Sequence, residues 1–202
     1  VSADQMDAVA SWADSYGFSE IRISHEQNFV LPHIPQDKLY TLWRQADAIG
    51  LGHFNAGLIS DIICCPGGDY CSLANAKSLP VAEAIQRRFA DYDRQHDLGS
   101  LDLNISGCMN ACGHHHVGHI GILGVDKKGE EWYQFTIGGD ASNQAELGTR
   151  LGPAIAKDKV GDAVVNILTV YRQQRQDDER LLDTFRRVGI EPFKDQVYAE
   201  QA

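Results

Sequence analysis

The sequence lacks the features that would place it in a membrane, an export pathway or a nucleic-acid complex. It has no run of about 18 apolar residues, the length needed to cross a bilayer, and its first residues do not follow the basic and then apolar pattern of a signal peptide. Lysine and arginine number 18 against 28 aspartates and glutamates, so the formal net charge is −10. Because a nucleic-acid-binding surface is net basic, we expect no nucleic-acid partner, no membrane partner and a cytoplasmic location.

No low-complexity segment or internal repeat interrupts the chain. Its 202 residues are 43% hydrophobic and 23% charged, an ordinary globular composition that suffices for one substantial core or two small ones. Residues 1–57 predict a compact α-β-β-α unit, with a helix that Ser2 caps, strands at 20–24 and 27–31, and a helix at 36–49. Five residues of the second helix are predicted to face inward: Leu39, Leu42, Trp43, Ala46 and Ile49.

Residues 58–202 predict a second, α+β domain. Its strands are predicted at 57–63, 101–106, 119–125 and 132–137, with a hairpin turn at 126–129. Its helices are predicted at 73–80, from Pro80 to about 92, at 159–175 and at 178–188. The first two strands each run into a pair of cysteines, so both pairs are predicted to lie where a strand ends and a turn begins, a common position for sites in α/β proteins.

Four of the five cysteines form two pairs, Cys65 with Cys71 and Cys108 with Cys112, embedded in glycine, proline and asparagine. An odd number of cysteines in a chain expected to be cytoplasmic disfavours disulfides. Structural zinc usually takes ligand pairs about two to four residues apart, whereas a [4Fe-4S] cluster accepts wider loops whose glycine amides donate to sulfur. The spacing favours an iron–sulfur cluster and leaves zinc, or buried or redox-active thiols, as alternatives.

The cysteine pairs and their surroundings resemble the cluster signature of the sirohaem-dependent sulfite and nitrite reductases. The resemblance lies in Cys65-x5-Cys71 followed by Ser72-Leu73-Ala74, in Gly107-Cys108-Met109-Asn110-Ala111-Cys112-Gly113-His114-His115, and in Gly121-Ile122-Leu123-Gly124. Met109 departs from the family pattern, in which a proline more often follows the third cysteine. Because Arg187-Val188-Gly189-Ile190-Glu191-Pro192-Phe193 also resembles the tail of the bacterial sulfite reductase haemoprotein, the resemblance covers nearly the whole chain.

This resemblance implies a fold and a set of cofactors. The implied fold is α+β, with a ferredoxin-like half-unit at residues 1–57 and a nitrite/sulfite reductase cluster-binding α+β domain at 58–202. The implied cofactors are a [4Fe-4S] cluster and sirohaem. A thiolate shared by the two makes them one coupled redox unit, because electrons then cross a single sulfur.

The same resemblance implies the ligands. Carried over by position, Cys65, Cys71 and Cys108 are expected to be cluster ligands, and Cys112 is expected to be the fourth ligand, which also bridges to the sirohaem iron and so takes part in catalysis. Asn110, between the cysteines of the second pair, has two readings. Its side chain donates a hydrogen bond to a cluster sulfur, or the residue only accepts a turn conformation.

The remaining cysteine and the histidines near the second pair are not required as ligands. Cys64 is expected to be a small buried hydrophobe, as free cysteines commonly are, although its position beside Cys65 leaves an exchange of roles open. The four histidines near the second pair are expected to line the site or to contact cluster ligands, with adventitious metal binding as the alternative: His114, His115, His116 and His119.

The resemblance implies that the chain is the C-terminal, cofactor-bearing half of an enzyme that reduces sulfite to sulfide or nitrite to ammonia. Sirohaem and its substrates are anionic, so a working site needs cationic donors, and this acidic chain has no basic cluster near its cysteines. We therefore expect an N-terminal half to supply them, and a ferredoxin or flavoprotein to supply electrons. The alternative is a cluster-binding, electron-transfer or zinc-binding fragment without catalysis of its own.

Overall fold

The computed structural model describes residues 1–199, which form two compact units, the first at Val1–Ala56 and the second from Gly57 onward. Among the described residues, no helix is both long and apolar enough to span a membrane. The second unit buries most of its large apolar side chains, whereas the first unit leaves many of them exposed.

The first unit contains two helices and a two-stranded sheet. Helix α1, Ala3–Tyr16, begins as predicted at Ser2, whose Oγ accepts from the Gln5 N–H while the Gln5 side chain accepts from the Ser2 N–H. This reciprocal capping satisfies two of the amides that a helix start leaves without partners. The remaining elements are β1 at Arg22–Ile23, its antiparallel partner β2 at Phe29–Val30, and α2 at Leu39–Ala48.

Three of the five residues predicted to face inward in the second helix are exposed. Leu42 is the buried residue of the helix, Ala46 is half-buried, and Leu39, Trp43 and Ile49 are exposed. The helical spacing is correct, but a two-stranded sheet is too small to cover the whole apolar stripe of a helix. The strands also leave apolar side chains in solvent, including Ile23 and Val30.

The second unit is built on a six-stranded mixed sheet. In chain order its strands are β3 at Ile63–Cys64, β4 at Leu103–Ser106, β5 at Ile120–Lys127, β6 at Glu130–Ile137, β7 at Thr149–Arg150 and β8 at Ile155–Ala156. β4 lies between β3 and β5 and is parallel to both, whereas β5 and β6 form the predicted antiparallel hairpin, and β7 and β8 both pair with β6. β4 is buried along its whole length, as expected of a central parallel strand.

Five helices complete this unit: α3 at Leu79–Arg88, α4 at Tyr92–Leu98, α5 at Val160–Gln174, α6 at Leu181–Val188 and α7 at Glu191–Tyr198. α5 packs against α3, α6 and α7. Apolar residues at helical spacing along α5 are all buried: Val160, Val164, Ile167, Leu168 and Tyr171. They join the side chains of the sheet in one hydrophobic core.

Several predictions for this unit are wrong. The strand predicted from residue 57 begins only at Ile63, and residues 73–78, predicted as a short helix, form turns and bends instead. The helix predicted from Pro80 is α3, which begins at Leu79 but ends at Arg88, and α4 was not predicted as a separate helix. The amides of Asn75 and Ala76 both donate to Gly107 O, so they make no helical hydrogen bonds. Helix α7 was not predicted, although its proline in the first turn is a recognised start signal.

Candidate metal centre at the two cysteine loops

Two loops carry the four paired cysteines, and both leave the same edge of the sheet. The first cysteine loop, residues 65–78, follows β3, and the second cysteine loop, residues 107–118, follows β4. The two strands are parallel neighbours with Cys64 opposite Ile105, and the Cys65 N–H donates to Ile105 O at 3.1 Å. The prediction that both pairs lie at strand ends is confirmed, and the parallel pairing brings the two ends together.

The loops are joined to each other through Gly107. Its carbonyl oxygen accepts from the N–H groups of Asn75 at 2.9 Å and Ala76 at 3.0 Å. Its own N–H donates to the Sγ of Cys65 at 3.0 Å, and a Cβ at this position would lie 2.7 Å from Ala76 O. A glycine is therefore required for this contact, and it places a backbone donor on a thiol sulfur, an interaction that orients and tunes metal-bound thiolates.

The second loop is also attached to its own strand. Ser106 Oγ accepts from the Gly113 N–H at 3.1 Å, and Asn104 Nδ2 donates to His114 O at 3.1 Å. A Cβ on Gly113 would lie 2.0 Å from Ile105 O, so the chain after Cys112 lies directly against β4. Neither Asn104 nor Ser106 was predicted to support the site, although their spacing of two along a strand places them on one face.

The first loop is held from a more distant strand. The Lys77 N–H donates to Glu131 Oε1 at 2.9 Å, and the Tyr133 hydroxyl donates to Lys77 O at 2.7 Å. Burial raises the pKa of Tyr133, so its hydroxyl stays protonated as the donor. The Lys77 side chain forms an ion pair with Asp69 at 2.7 Å. Glu131 and Tyr133 belong to β6, and no local signal in the sequence connects them with the cysteines.

The four paired cysteines differ in exposure. Cys65 and Cys108 are each only 8% exposed, Cys71 is half-buried and Cys112 is exposed. Exposed apolar side chains flank them in both loops: Tyr70, Leu73 and Met109. The two loops therefore present an apolar, thiol-bearing surface rather than a closed pocket.

Single-ion coordination and cluster coordination make different demands on these side chains. In residues 1–199, no three His, Cys, Asp or Glu side chains are grouped closely enough to hold one metal ion. A [4Fe-4S] cluster is larger than one ion, and it is held by four thiolates with donors to sulfur. Four thiols on two hydrogen-bonded loops, with the Gly107 N–H already on Cys65 Sγ, fit such a cluster in donor type.

The fifth cysteine, Cys64, lies on the core side. Its side chain packs against the hydrophobic core, and its Sγ is 3.3 Å from Cys65 O. Burial, with a smaller contribution from Cys65, raises the pKa of the Cys64 thiol to about 12. A thiol that stays protonated is a poor metal ligand, because the thiolate is the ligating form.

Among the described residues, the four histidines in and next to the second loop do not assemble into a metal site. His115 is buried, its Nδ1 has no hydrogen-bond partner within the described chain, and burial followed by the neighbouring His116 lowers its pKa. His119 Nδ1 accepts from the Asp102 N–H at 3.1 Å, and burial lowers its pKa against the opposing effect of the Asp102 carboxylate. His114 is exposed and His116 is half-buried.

Asn110 lies on the exposed side of the second loop. Within residues 1–199 its side chain makes no hydrogen bond to a cysteine sulfur. A residue with a positive φ, Ala111 at 56°, follows it. The role of Asn110 and the assignment of Cys65, Cys71, Cys108 and Cys112 as ligands remain predictions.

Comparison with known families gives two matches that together cover nearly all of the chain. Residues 56–202 match the family described as the nitrite and sulphite reductase 4Fe-4S domain. Residues 1–49 match the family described as the nitrite/sulfite reductase ferredoxin-like half domain. These matches confirm the α+β fold class with a ferredoxin-like half-unit first, and they agree with the resemblance seen in the cysteine motifs.

Relatives with curated names include enzymes for both anions. The chain is 30% identical over 190 residues to Sulfite reductase (ferredoxin) 2 of Mycolicibacterium paratuberculosis, an alignment that covers 89% of this chain and 34% of that protein. It is 29% identical over 183 residues to the chloroplastic ferredoxin–nitrite reductase of Betula pendula, covering 85% of this chain and 30% of that protein. The chain thus spans about a third of the length of these relatives.

Two solved structures share the fold. The NirA protein of Mycobacterium tuberculosis superposes with a TM-score of 0.81 at 24% identity, covering 98% of this chain and 37% of that one. Dissimilatory sulfite reductase I superposes with a TM-score of 0.77 at 14% identity, covering 98% of this chain and 66% of that one. At these identities the superpositions establish the common fold.

Proposed function

Because the chain belongs to the nitrite and sulphite reductase 4Fe-4S domain family, we propose that it is the cofactor-bearing part of a reductase that depends on sirohaem and a [4Fe-4S] cluster. The proposed reaction is the six-electron reduction of sulfite to sulfide or of nitrite to ammonia. One observation carries the proposal: two cysteine pairs leave adjacent parallel strands on loops that hydrogen-bond to each other through Gly107.

Each paired cysteine has a proposed role. Cys65, Cys71 and Cys108 are cluster ligands, and Cys112 is the ligand shared with the haem iron. When bound, the coupled cofactors would relay electrons from a donor protein and would provide an iron position for the anion. The burial of Cys65 and Cys108 keeps water from that side of the site, and the exposure of Cys112 suits a thiolate that must reach a second group.

The substrate-binding charges are proposed to lie on other sequence. Anion reduction needs cationic side chains at the reacting centre, but this chain carries a net charge of −10. The Lys77 ammonium of the first loop is already paired with Asp69. An N-terminal half of the same enzyme would supply the missing cations, and a ferredoxin or flavoprotein would supply electrons.

The first unit supports the proposal of an N-terminal half. Its β1 and β2 expose Ile23 and Val30, and its α2 exposes Leu39 and Trp43, at 50% and 42%. Exposed apolar side chains concentrated on one small unit indicate a surface that another domain covers. We propose that this unit, matched to a half domain, pairs with its counterpart in the N-terminal half, and that the domains are residues 1–57 and 58–202.

The proposal is tested by metal analysis and spectroscopy after anaerobic purification. In the complete enzyme, one [4Fe-4S] cluster and one sirohaem together give five irons and four acid-labile sulfides per chain, and haem bands are expected to change on addition of sulfite or nitrite. Initial rates with each anion then identify the preferred substrate. Replacing Cys64 with alanine is the matched control, because it removes a cysteine of the same loop region without touching the four proposed ligands.

A cluster-binding or electron-transfer fragment without catalysis is the second candidate, favoured by the acidic charge and by the one-third coverage of relatives. It predicts a broad iron–sulfur absorption without haem bands. One zinc and no iron per chain would instead contradict both candidates.

A further inference from the structure

Strand β4 carries two polar side chains in an otherwise apolar, fully buried position. Asn104 and Ser106 are two residues apart and so lie on one face of the strand, and both are almost completely buried. A buried polar side chain is unfavourable unless it is hydrogen-bonded. The bonds that these two make therefore indicate why polar residues occupy the centre of the sheet.

Both side chains bond to the backbone immediately after Cys112. Ser106 Oγ accepts from the N–H of Gly113, the next residue, and Asn104 Nδ2 donates to the carbonyl oxygen of His114, the residue after that. A Cβ on Gly113 would lie 2.0 Å from Ile105 O, so this segment lies directly against β4. Two consecutive residues are thus fixed to the strand by one bond each.

The side-chain oxygen of Asn104 supports a role for this residue in holding the second loop. Within the described chain, Asn104 Oδ1 has no hydrogen-bond partner, which is costly for a buried oxygen. An apolar residue of similar size would avoid that cost. The presence of an amide is explained by its nitrogen, which donates to His114 O.

Cys112 has little else to orient it. Its side chain is exposed, so packing does not restrict its direction as it does for the buried Cys65 and Cys108. We propose that Asn104 and Ser106 are positioning residues that set the direction of the Cys112 thiolate by holding the backbone that follows it. The inference rests on the proposed function for what Cys112 binds, but the backbone restraint is a property of this chain alone.

The test combines amide hydrogen exchange with the magnetic coupling of the cofactors in the complete enzyme. In Ser106→Ala and Asn104→Leu, exchange of the peptide covering residues 111–117 is expected to be about tenfold faster, since one net hydrogen bond is lost. Iron and sulfide content are expected to stay at the wild-type value, while the haem–cluster coupling signature weakens in Mössbauer and electron paramagnetic resonance spectra.

Two variants separate positioning from general destabilisation. Ile105→Val removes a methyl group from the opposite face of β4 and keeps both loop bonds, so exchange at 111–117 and the coupling signature should stay at wild-type values. Ser106→Thr keeps the hydroxyl and should restore both readouts. If Ser106→Ala does not accumulate as folded protein, Asn104→Leu provides the same two measurements.

Unchanged hydrogen exchange at 111–117 in both Ser106→Ala and Asn104→Leu would overturn the inference. An equally large effect of Ile105→Val would overturn it as well. Faster exchange with an unaltered coupling signature would also overturn it, since the loop would then move without affecting Cys112. A wild-type enzyme without iron would contradict the proposed function instead, and the exchange measurement would still decide whether Asn104 and Ser106 hold the loop.

Discussion

The two cysteine loops leave neighbouring strands, yet they are held in place by different parts of the chain. The first loop is fixed by Glu131 and Tyr133, whose partner Lys77 is 54 and 56 residues away in sequence. The second loop is fixed by Ser106 and Asn104, whose bonds span only 7 and 10 residues. The order of the first loop therefore depends on the assembled sheet, whereas the second loop is held partly by its own strand, in addition to the Gly148 N–H that donates to His116 O.

The loops also differ in what they offer to a cofactor. The first begins with a buried thiol, Cys65, which already accepts the Gly107 N–H. The second carries an exposed thiol, Cys112, and the backbone that follows this residue is hydrogen-bonded to β4. The site therefore has one side with a buried thiol, Cys65, and one side with an exposed thiol, Cys112. Substitutions in one loop can be compared with substitutions in the other.

The largest effect is expected from removing the exposed thiol of Cys112. Cys112→Ser in the complete enzyme should abolish the haem–cluster coupling and the six-electron activity, because a serine hydroxyl is a far weaker soft-metal ligand than a thiolate. Activity is measured with reduced electron donor and sulfite or nitrite, and coupling by Mössbauer spectroscopy. Cys64→Ser should retain both, and full activity of Cys112→Ser would contradict the assignment of Cys112.

A steric change is expected to affect the second loop next most strongly. In Gly113→Ala the new Cβ would lie 2.0 Å from Ile105 O, and relieving that overlap should lower the free energy of unfolding by about 3 kcal/mol. Gly68→Ala, in the first loop, is the matched control, because its nearest neighbour lies at an ordinary 3.5 Å. Chemical denaturation measures both, and equal stabilities would show that the second loop does not lie against β4.

Loss of the Tyr133 hydroxyl should loosen the first loop and spare the second. Tyr133→Phe removes the donor to Lys77 O, a part-buried hydrogen bond, which should cost about 1 kcal/mol. Hydrogen exchange should rise in residues 74–78 and stay unchanged in 111–117. Tyr198→Phe removes a comparable bond, to Pro153 O, and should leave both loops unchanged. A simultaneous rise in both loops would mean that they are not held independently.

The smallest effect is expected from acid, and it concerns the support of the second loop. Asp140 pairs with Glu146 through backbone bonds, and the nearby Gly148 N–H donates to His116 O at 2.7 Å. Hydrogen bonds from Ser142, and then from Arg186, lower the pKa of Asp140 from 3.8 to about 2. Because the folded-state pKa is depressed, this stabilisation is fully present above about pH 4 and is lost as the pH falls towards 2.

Asp140→Asn should therefore flatten the dependence of stability on pH between about 4 and about 2. Thermal unfolding across that window measures the change. Asp178→Asn, an exposed carboxylate at the start of the α6 region, serves as the control and should leave the dependence as it is in the wild type. An Asp140→Asn profile parallel to the wild-type profile would exclude this carboxylate as a source of acid sensitivity.

Elements with strong local patterns were predicted correctly from the sequence. The hairpin of β5 and β6 has alternating apolar residues around a turn that includes Gly129, and α5 has a full apolar stripe. Segments whose backbone groups bond to residues distant in sequence were not predicted correctly. Residues 73–78 have helix-compatible side chains, but the Asn75 and Ala76 amides bond to Gly107 across the loops, and a local pattern carries no information on such a partner.

The sequence by itself determined the donor set: four thiols in two pairs, each at a strand end, within glycine-rich turns. Spacing alone left a cluster, zinc and redox thiols open, and the family resemblance favoured the cluster. Only the tertiary structure decided that β3 and β4 are parallel neighbours, that Gly107 joins the loops, and that Cys65 is buried while Cys112 is exposed. The physical reason is that burial and hydrogen bonding depend on partners distant in sequence, such as Cys65 and Gly107, which are 42 residues apart.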